Sequence, residues 1–397
     1  MSNINEKALA LGSKRSIIRE IFEYSKIRMN QIGADKVFDF SLGNPSVEPP
    51  QEVTDALCDL IKNENPTALH GYTSAQGDLF VRKTIAESIN DRFSVNVSAD
   101  NIYMTCGAAA SLSICLKAVM NKGDECVVFA PFFTEYRVFV ENADGKLVIS
   151  KPEPNSFQID IADFESKINI NTKAVIINSP NNPSGVVYSE ETIKKVCEVL
   201  EKKQAEFNKD IYLITDEPYR ELVYDDIKVP YLMNYYKNSL ICYSYSKSLS
   251  LPGERIGYIA VNPNMNESKT IYLAICGAGR SLGYVCAPSM FQKLVAKCIN
   301  AKVNIAAYKK NRDLLYNSLT EYGYTCVKPD GAFYLFVKSP DVSATAFYEK
   351  AKKHEILVVP CDDFGVEGYV RIAYCVNYKR IENSLPSFKE LAKEYSL

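Results

Sequence analysis

Apolar residues recur at roughly helical spacing through residues 15–31 (RSIIREIFEYSKIRMNQ), and Gly33 marks the expected end of that helix. Residues 37–42 (VFDFSL) then alternate as a half-buried strand does, and Gly43-Asn44-Pro45 halts the run. From about residue 50 to 290 the pattern changes to short apolar runs separated by longer amphipathic stretches. The runs VVFA (127–130), AVIINS (174–179), YLITD (212–216), LICYSYS (240–246) and IGYIAV (256–261) read as buried strands. Residues 189–205 read as a helix, opened by Ser-x-x-Thr with acidic residues in its first turn, where they face the positive end of the helix dipole. Buried strands alternating with helices imply a mainly parallel, doubly wound sheet. Ligands of such sheets collect at the carboxyl ends of the strands. Beyond residue 290 one long helical stretch (289–320) precedes GAFYLFV (331–337), LVVP (357–360) and YVRIAY (369–374), the pattern of a smaller α+β unit. The N-terminal segment is expected to pack on that unit. This gives a large domain over 48–290 and a discontinuous small domain built from 1–47 and 291–397.

Composition narrows the function. The chain has 397 residues, 47% of them hydrophobic and 24% charged, the balance of an ordinary globular protein with a sizeable core. A formal net charge of −2 leaves no basic excess for a nucleic-acid backbone. No stretch reaches the ~18 uninterrupted apolar residues of a membrane span. Lys and Glu break the first residues too early for a signal-peptide core, so a cytoplasmic protein is expected. Twelve cysteines without a CxxC pair then read as free thiols, and with only His70 and His354 the chain offers no zinc-site pattern, so no metal is expected.

Four segments at strand ends carry candidate chemistry. Ser244-Tyr245-Ser246-Lys247 is followed by Arg255-Ile256-Gly257. A lysine there can form a Schiff base if its amine is kept neutral, and the hydroxyls with the arginine can hold a phosphate. A surface lysine beside a serine-rich loop explains the segment equally well. Asp216, in ITDEPY (214–219), can pair with a protonated pyridine nitrogen, with Tyr219 nearby on a turn or helix start; the alternative is a helix N-cap before Pro218. SPNNPSG (179–185) is a rigid turn whose Asn182 amide can donate to a phenolate, or simply a strand-to-helix loop. TCGAAAS (105–111) opens a predicted helix, whose free amides bind phosphate; a tight helix–sheet contact explains it equally well.

Taken together, and in order, SLGNP (41–45), GYTSAQG (71–77), CGAAAS, PFFTEY (131–136), NNPSG, DEPY, SYSK, the Arg-x-Gly after it, GAFY and VRIAY resemble the aspartate aminotransferase family, the class I/II branch of fold type I pyridoxal-phosphate (PLP) enzymes. The resemblance spans nearly the whole chain. It implies a mainly parallel seven-stranded sheet flanked by helices, a smaller α+β domain, and amino-group transfer between an L-amino acid and a 2-oxo acid, with 2-oxoglutarate the family-level acceptor.

Residue by residue, the resemblance places the Schiff-base and proton-shuttling lysine at Lys247 and the partner of the pyridine nitrogen at Asp216. Asn182 and Tyr219 match the groups that bond the cofactor's phenolic oxygen. Gly107, Ala108, Ala109, Ser244, Ser246 and Arg255 form the implied phosphate cup, and Tyr72 matches a tyrosine reaching the phosphate from the other subunit of a homodimer. Phe133 takes the position of the ring that stacks on the cofactor. Arg371 matches the arginine that grips the substrate α-carboxylate, with Gly43 and Asn182 beside the same group and a domain closure implied on binding.

Substrate choice is left open. Ala109 stands where some aspartate-specific members place a lysine, while Arg280, in GAGRSLGYVCAP (277–288), falls roughly where others place an arginine that reads a side-chain carboxylate. Phe333 and Tyr334 of GAFY are equally compatible with aromatic substrates. The rival reading within the fold is a carbon–sulfur β-lyase or an aminocyclopropane-carboxylate synthase-like enzyme, since the same electron sink serves those reactions. A ligand-sensing regulator is disfavoured because only 40 residues precede SLGNP, too few for a DNA-binding domain.

Overall fold

The computed structural model describes residues 4–13 and 16–397. They group into two compact units, one from the described residues up to 46 with 308–329 and 333–397, the other from 47–307 with 330–332. The larger unit therefore extends past the expected limit of 290. The reason is local: the helix Ser289–Lys297 is tied into that unit, where Gln292 Oε1 accepts from Asp78 N at 2.7 Å and Lys297 Nζ bonds Asp59 Oδ2 at 2.8 Å.

The larger unit is built on β1 (Ile102–Thr105), β2 (Glu125–Phe129), β3 (Lys146–Ser150), β4 (Thr172–Asn178), β5 (Tyr212–Asp216), β6 (Ser239–Ser244) and β7 (Gly257–Val261), in the order β1-β7-β6-β5-β4-β2-β3. The pairings from β6 through β5, β4 and β2 to β3 are parallel. Only β7 is reversed, antiparallel to β6 and β1. The link from β6 to β7 holds only a four-residue helix, whereas parallel neighbours need a full crossover. Val127, Val128, Val175, Ile176, Ile177, Leu213, Ile214 and Ile241 are all buried, as in a sheet covered on both faces. Each such side chain contributes about 1.5–3 kcal/mol. Five of the seven strands coincide with the apolar runs. Of the other two, β3 is a half-exposed edge strand whose apolar run, Leu147-Val148-Ile149, is only three residues long, and β1 (IYMT) mixes apolar with hydroxylated residues.

Five helices of this unit bear on the site: α1 (Ala108–Val119), α2 (Glu135–Asn142), α3 (Glu190–Phe207), α4 (Tyr245–Ser248) and α5 (Ser268–Ser281). The predicted 189–205 helix is α3. Its Ser189 N-cap accepts from Thr192 N at 3.0 Å, and it ends at Asn208 in a left-handed conformation.

The smaller unit carries an antiparallel sheet ordered Val359–Pro360, Tyr369–Ala373, Tyr334–Lys338, Cys326–Val327, and a short parallel pair of Phe38–Asp39 with Ile356–Leu357. The strand expected over 37–42 is only those two residues. Beyond it Asp39 Oδ1 takes both the N–H and the hydroxyl of Ser41, at 2.8 and 2.7 Å, and turns the chain. The helix expected over 289–320 is two helices, Ser289–Lys297 and Ile305–Glu321. Asn304, whose side chain accepts from Ala307 N, starts the second one afresh. A short helix, Glu6–Ser13, comes first, and the helix expected over 15–31 runs Ile17–Ile32, capped by Ser16 and ended at Gly33; residue 15 lies outside the described residues.

Candidate active site

The carboxyl ends of β4, β5 and β6 bring Asn178, Asp216 and Ser244 side by side. Asn178 and Asp216 are direct partners in the ladder. The Asn178 amide donates to the Asp216 carbonyl at 2.8 Å, and its Oδ1 accepts the Asn182 N–H at 2.7 Å. One side chain thereby fastens the 179–185 turn to the end of β5. Asn181 braces the same turn, its Oδ1 accepting from the N–H and hydroxyl of Ser184. Asn182 itself is buried.

Asp216 is buried, and the tyrosine at the start of α2, Tyr136, donates to its Oδ2 at 2.6 Å. Oδ1 has no hydrogen-bond partner among the described residues. Burial raises the Asp216 carboxyl to about 7; the Tyr136 hydrogen bond opposes that shift and the neighbouring Glu217 adds to it. Glu217 is itself neutralised by a buried pairing with Arg220, whose guanidinium also donates to the Val229 and Pro230 carbonyls. Asp216 is not a helix N-cap, because the residues after it form a turn that includes Tyr219. Tyr219 is buried, and the half-buried Phe133 ring meets Tyr136 edge-on, with centroids 5.7 Å apart.

The second cluster surrounds Gly107. This residue has φ +88°, and α1 begins immediately after it, so the N–H groups of Ala108 and Ala109 lie in the unbonded first turn. A Cβ on Gly107 would come within 2.8 Å of Arg255 Nη2, so the absence of a side chain lets the guanidinium lie against the helix start. Arg255 Nη1 donates to Ser246 Oγ at 3.4 Å and to the Pro252 carbonyl at 3.0 Å. Ser244 and Ser246 share a hydroxyl hydrogen bond of 2.8 Å, and Ser244 caps α4 by accepting from Ser246 N. Arg255 holds φ +52°, a conformation costing a side-chain-bearing residue roughly 1–2 kcal/mol. Gly257 permits the close crossing beneath, where a Cβ would collide with the Tyr243 carbonyl. A helix start, two hydroxyls and a guanidinium in one place form an anion cradle. Lys247, half-buried in α4, is one residue beyond the cradle's Ser246.

Arg371 and Gly43 form a separate cluster within the smaller unit. Arg371 Nη2 donates to the Ser41 carbonyl at 2.6 Å, and the guanidinium lies 4.6 Å from the centre of the Tyr334 ring. A Cβ on Gly43 would collide with the Tyr334 hydroxyl. Tyr72 and Arg280 are exposed, the tyrosine almost completely at 98%. Among the described residues no hydrogen bond or ion pair joins either side chain to the clusters above.

Sequence reasoning missed Asn178, whose signal was a single polar residue closing an apolar strand, and Tyr136, three positions after Phe133 on the same segment. No group of three or more metal-ligating side chains occurs among the described residues, nor a helix long and apolar enough to cross a membrane.

Known proteins resemble this chain over most of its length. A crystal structure of an amino transferase from Eubacterium rectale is 54% identical, covers all of both chains and superposes with a TM-score of 0.98. A probable aspartate aminotransferase of Methanocaldococcus jannaschii is 32% identical over 95% of this chain and 97% of its own. An aspartate aminotransferase from Thermus thermophilus, solved with maleate, shares the fold at 23% identity, with a TM-score of 0.87 over 98% of this chain and 100% of its own. Residues 35–387 match the family described as Aminotransferase class I and II. The chain is a member of that family, a transferase enzyme built on the fold type I architecture.

Proposed function

We propose that this protein holds PLP at Lys247 and moves an amino group between an acidic L-amino acid and a 2-oxo acid, with 2-oxoglutarate as acceptor. The observation that carries the reading is Asp216: a buried carboxyl at a strand end, with one oxygen held by Tyr136 and the other without a partner among the described residues. Such an oxygen suits a protonated ring nitrogen. The anion cradle of Gly107, Ala108, Ala109, Ser244, Ser246 and Arg255, which begins at the end of the neighbouring strand β6 and reaches across β7 to the helix start after β1, suits a phosphate. The residues present therefore fit the cofactor used by this family.

When bound, PLP supplies an electron sink for charge developing at the substrate α-carbon. Asp216 Oδ1 would hold the proton at the ring nitrogen. Asn182 and Tyr219 would donate to the ring's phenolic oxygen, and Phe133 would offer an apolar face. Once the substrate amine had displaced it from the cofactor, the freed Lys247 amine would take the proton from the substrate α-carbon and deliver it to the cofactor's C4′ carbon, the work of a positioned general base and acid. Arg371 binds the α-carboxylate as a two-pronged guanidinium pair, close to Gly43. The acidic donor is supported by the relatives named as aspartate aminotransferases and by Arg280 as reader of a second carboxylate. The exposed Tyr72 ring supports a homodimer in which that residue serves the partner's phosphate.

The test is the visible absorbance of the PLP-loaded protein before and after L-aspartate, L-glutamate, L-alanine and L-tyrosine in turn. Bleaching by the two acidic donors, with the amino form of the cofactor left behind, is expected. Release of pyruvate and ammonia from cysteine conjugates without bleaching would replace the transferase by a β-lyase.

A further inference from the structure

We infer that Tyr136 is a positioning residue for the reaction: its hydroxyl holds the Asp216 carboxyl in the orientation that leaves Oδ1 available to the cofactor's ring nitrogen and favours its ionised form. The inference rests on the PLP reading of the site. It stands on the 2.6 Å bond from Tyr136 to Oδ2, the burial of both residues, and the lack of any partner for Oδ1 among the described residues.

The carboxyl plane has two edges, and the protein occupies one. The hydroxyl cannot rotate away, because the Tyr136 ring is buried, packed edge-on against Phe133. The backbone of Asp216 is equally held, by Asn178 at its carbonyl. Both ends of the residue are thus tied, and only Oδ1 is left to recognise something new.

The electrostatic consequence follows from what faces Asp216. Glu217, beside it in the chain, carries a charge compensated by Arg220. Cys242 is its ladder partner on β6 and shares a contact of 3.6 Å with Cys115 of α1. Tyr219 lies in the following turn, and Tyr188 adds a further buried phenol near Tyr136. None of these is a cation, so Tyr136 is the group among them that favours the ionised carboxylate, against burial and Glu217. The hydrogen bond has the complementary effect on the phenol, which burial and the Asp216 charge push well above its ordinary range, so it remains a donor across the working pH range. Without it the proton stays on Asp216 to higher pH, and a neutral carboxyl does not hold a proton on the ring nitrogen.

The experiment titrates apo protein with PLP by absorbance across pH, for wild type, Tyr136→Phe, Tyr136→His and, as a control for losing a buried hydroxyl, Tyr188→Phe. Thermal unfolding of each apo protein reports its folding. Tyr136→Phe is expected to bind PLP at least about tenfold more weakly, the loss from one charge-assisted hydrogen bond. The acidic limit of binding is expected to move to higher pH. Tyr136→His, which restores a donor, should recover part of both, and Tyr188→Phe should change neither. A folded Tyr136→Phe protein with unchanged PLP affinity and an unchanged acidic limit overturns the inference. If Tyr136→Phe does not fold, a folded Tyr136→Leu with wild-type affinity and acidic limit overturns the inference, and one that has lost affinity while Tyr188→Phe has not supports it. Wild type that takes up no PLP overturns the site reading itself, which the variants alone cannot do.

Discussion

The amide of Asn178 spans from β4 to β5, donating to the carbonyl of Asp216 at 2.8 Å while its oxygen holds the N–H of Asn182 at 2.7 Å. The strand that carries the acid and the turn that carries the amide donor are therefore registered by one buried side chain.

Asn178→Ala leaves both backbone groups buried and unbonded. An unmade buried hydrogen bond costs ~1–3 kcal/mol, so Tm should fall measurably. The larger effect is expected on kcat/KM for the amino donor, because Asn182 loses its anchor as well. Steady-state kinetics beside a melting curve separate the two. Full activity in a destabilised protein would show that the turn holds its place unaided.

The Asp216 carboxyl, raised to about 7 by burial, sets a pH dependence for the apo protein. Between about 4 and 7 the folded chain binds a proton there that the unfolded chain has released. Stability from this group is therefore complete below pH 4 and is lost as pH rises toward 7, by at most about 4 kcal/mol. Asp216→Asn should flatten that part of the profile. Thermal melts of the two apo proteins at pH 5 and pH 8 test this. A difference in Tm between them that is the same at both pH values would show that Asp216 titrates normally.

Gly107→Ala combines two penalties. Its φ of +88° disfavours any Cβ, and that Cβ would lie 2.8 Å from Arg255 Nη2, forcing the guanidinium off the helix start. A loss of more than 1 kcal/mol in stability is expected, with faster loss of PLP on dialysis. Retention of PLP as in wild type would remove Gly107 and Arg255 from the phosphate cradle.

Arg371→Lys keeps the charge and removes the two-pronged geometry. KM should rise at least about tenfold for every amino donor, acidic or not. Arg280→Ala should instead lower the preference for aspartate and glutamate over alanine while leaving alanine turnover unchanged. Undiminished acidic selectivity in that variant would take Arg280 out of the account.

Much of this was legible in the chain itself. Continuous apolar runs such as AVIIN and YLIT mark strands buried on both faces, and the residues that end them, Asp216 and Ser244, fall at the sheet's carboxyl edge because parallel strands share one polarity. Turn chemistry around Asn182 and the Gly107 helix start were equally local, and local steric rules write them into sequence. The edge strand β3 and the break at 298–304 were not legible, since the three-residue run Leu147-Val148-Ile149 is too short to mark a strand by itself and the second helix is restarted by Asn304.

Order along the chain determined the fold, the position of the acid and the lysine, and the family resemblance. Only tertiary structure decided which atoms meet. Nothing in the spacing of Tyr136 and Asp216, eighty residues apart, indicates that a phenol occupies one carboxylate oxygen and leaves the other open. Nor does it show that Gly107 makes room for Arg255 rather than merely turning the chain. Secondary structure follows from interactions between near neighbours, which sequence periodicity records. Hydrogen-bond partners across a sheet depend on register and packing, and those are settled only when the whole chain has folded.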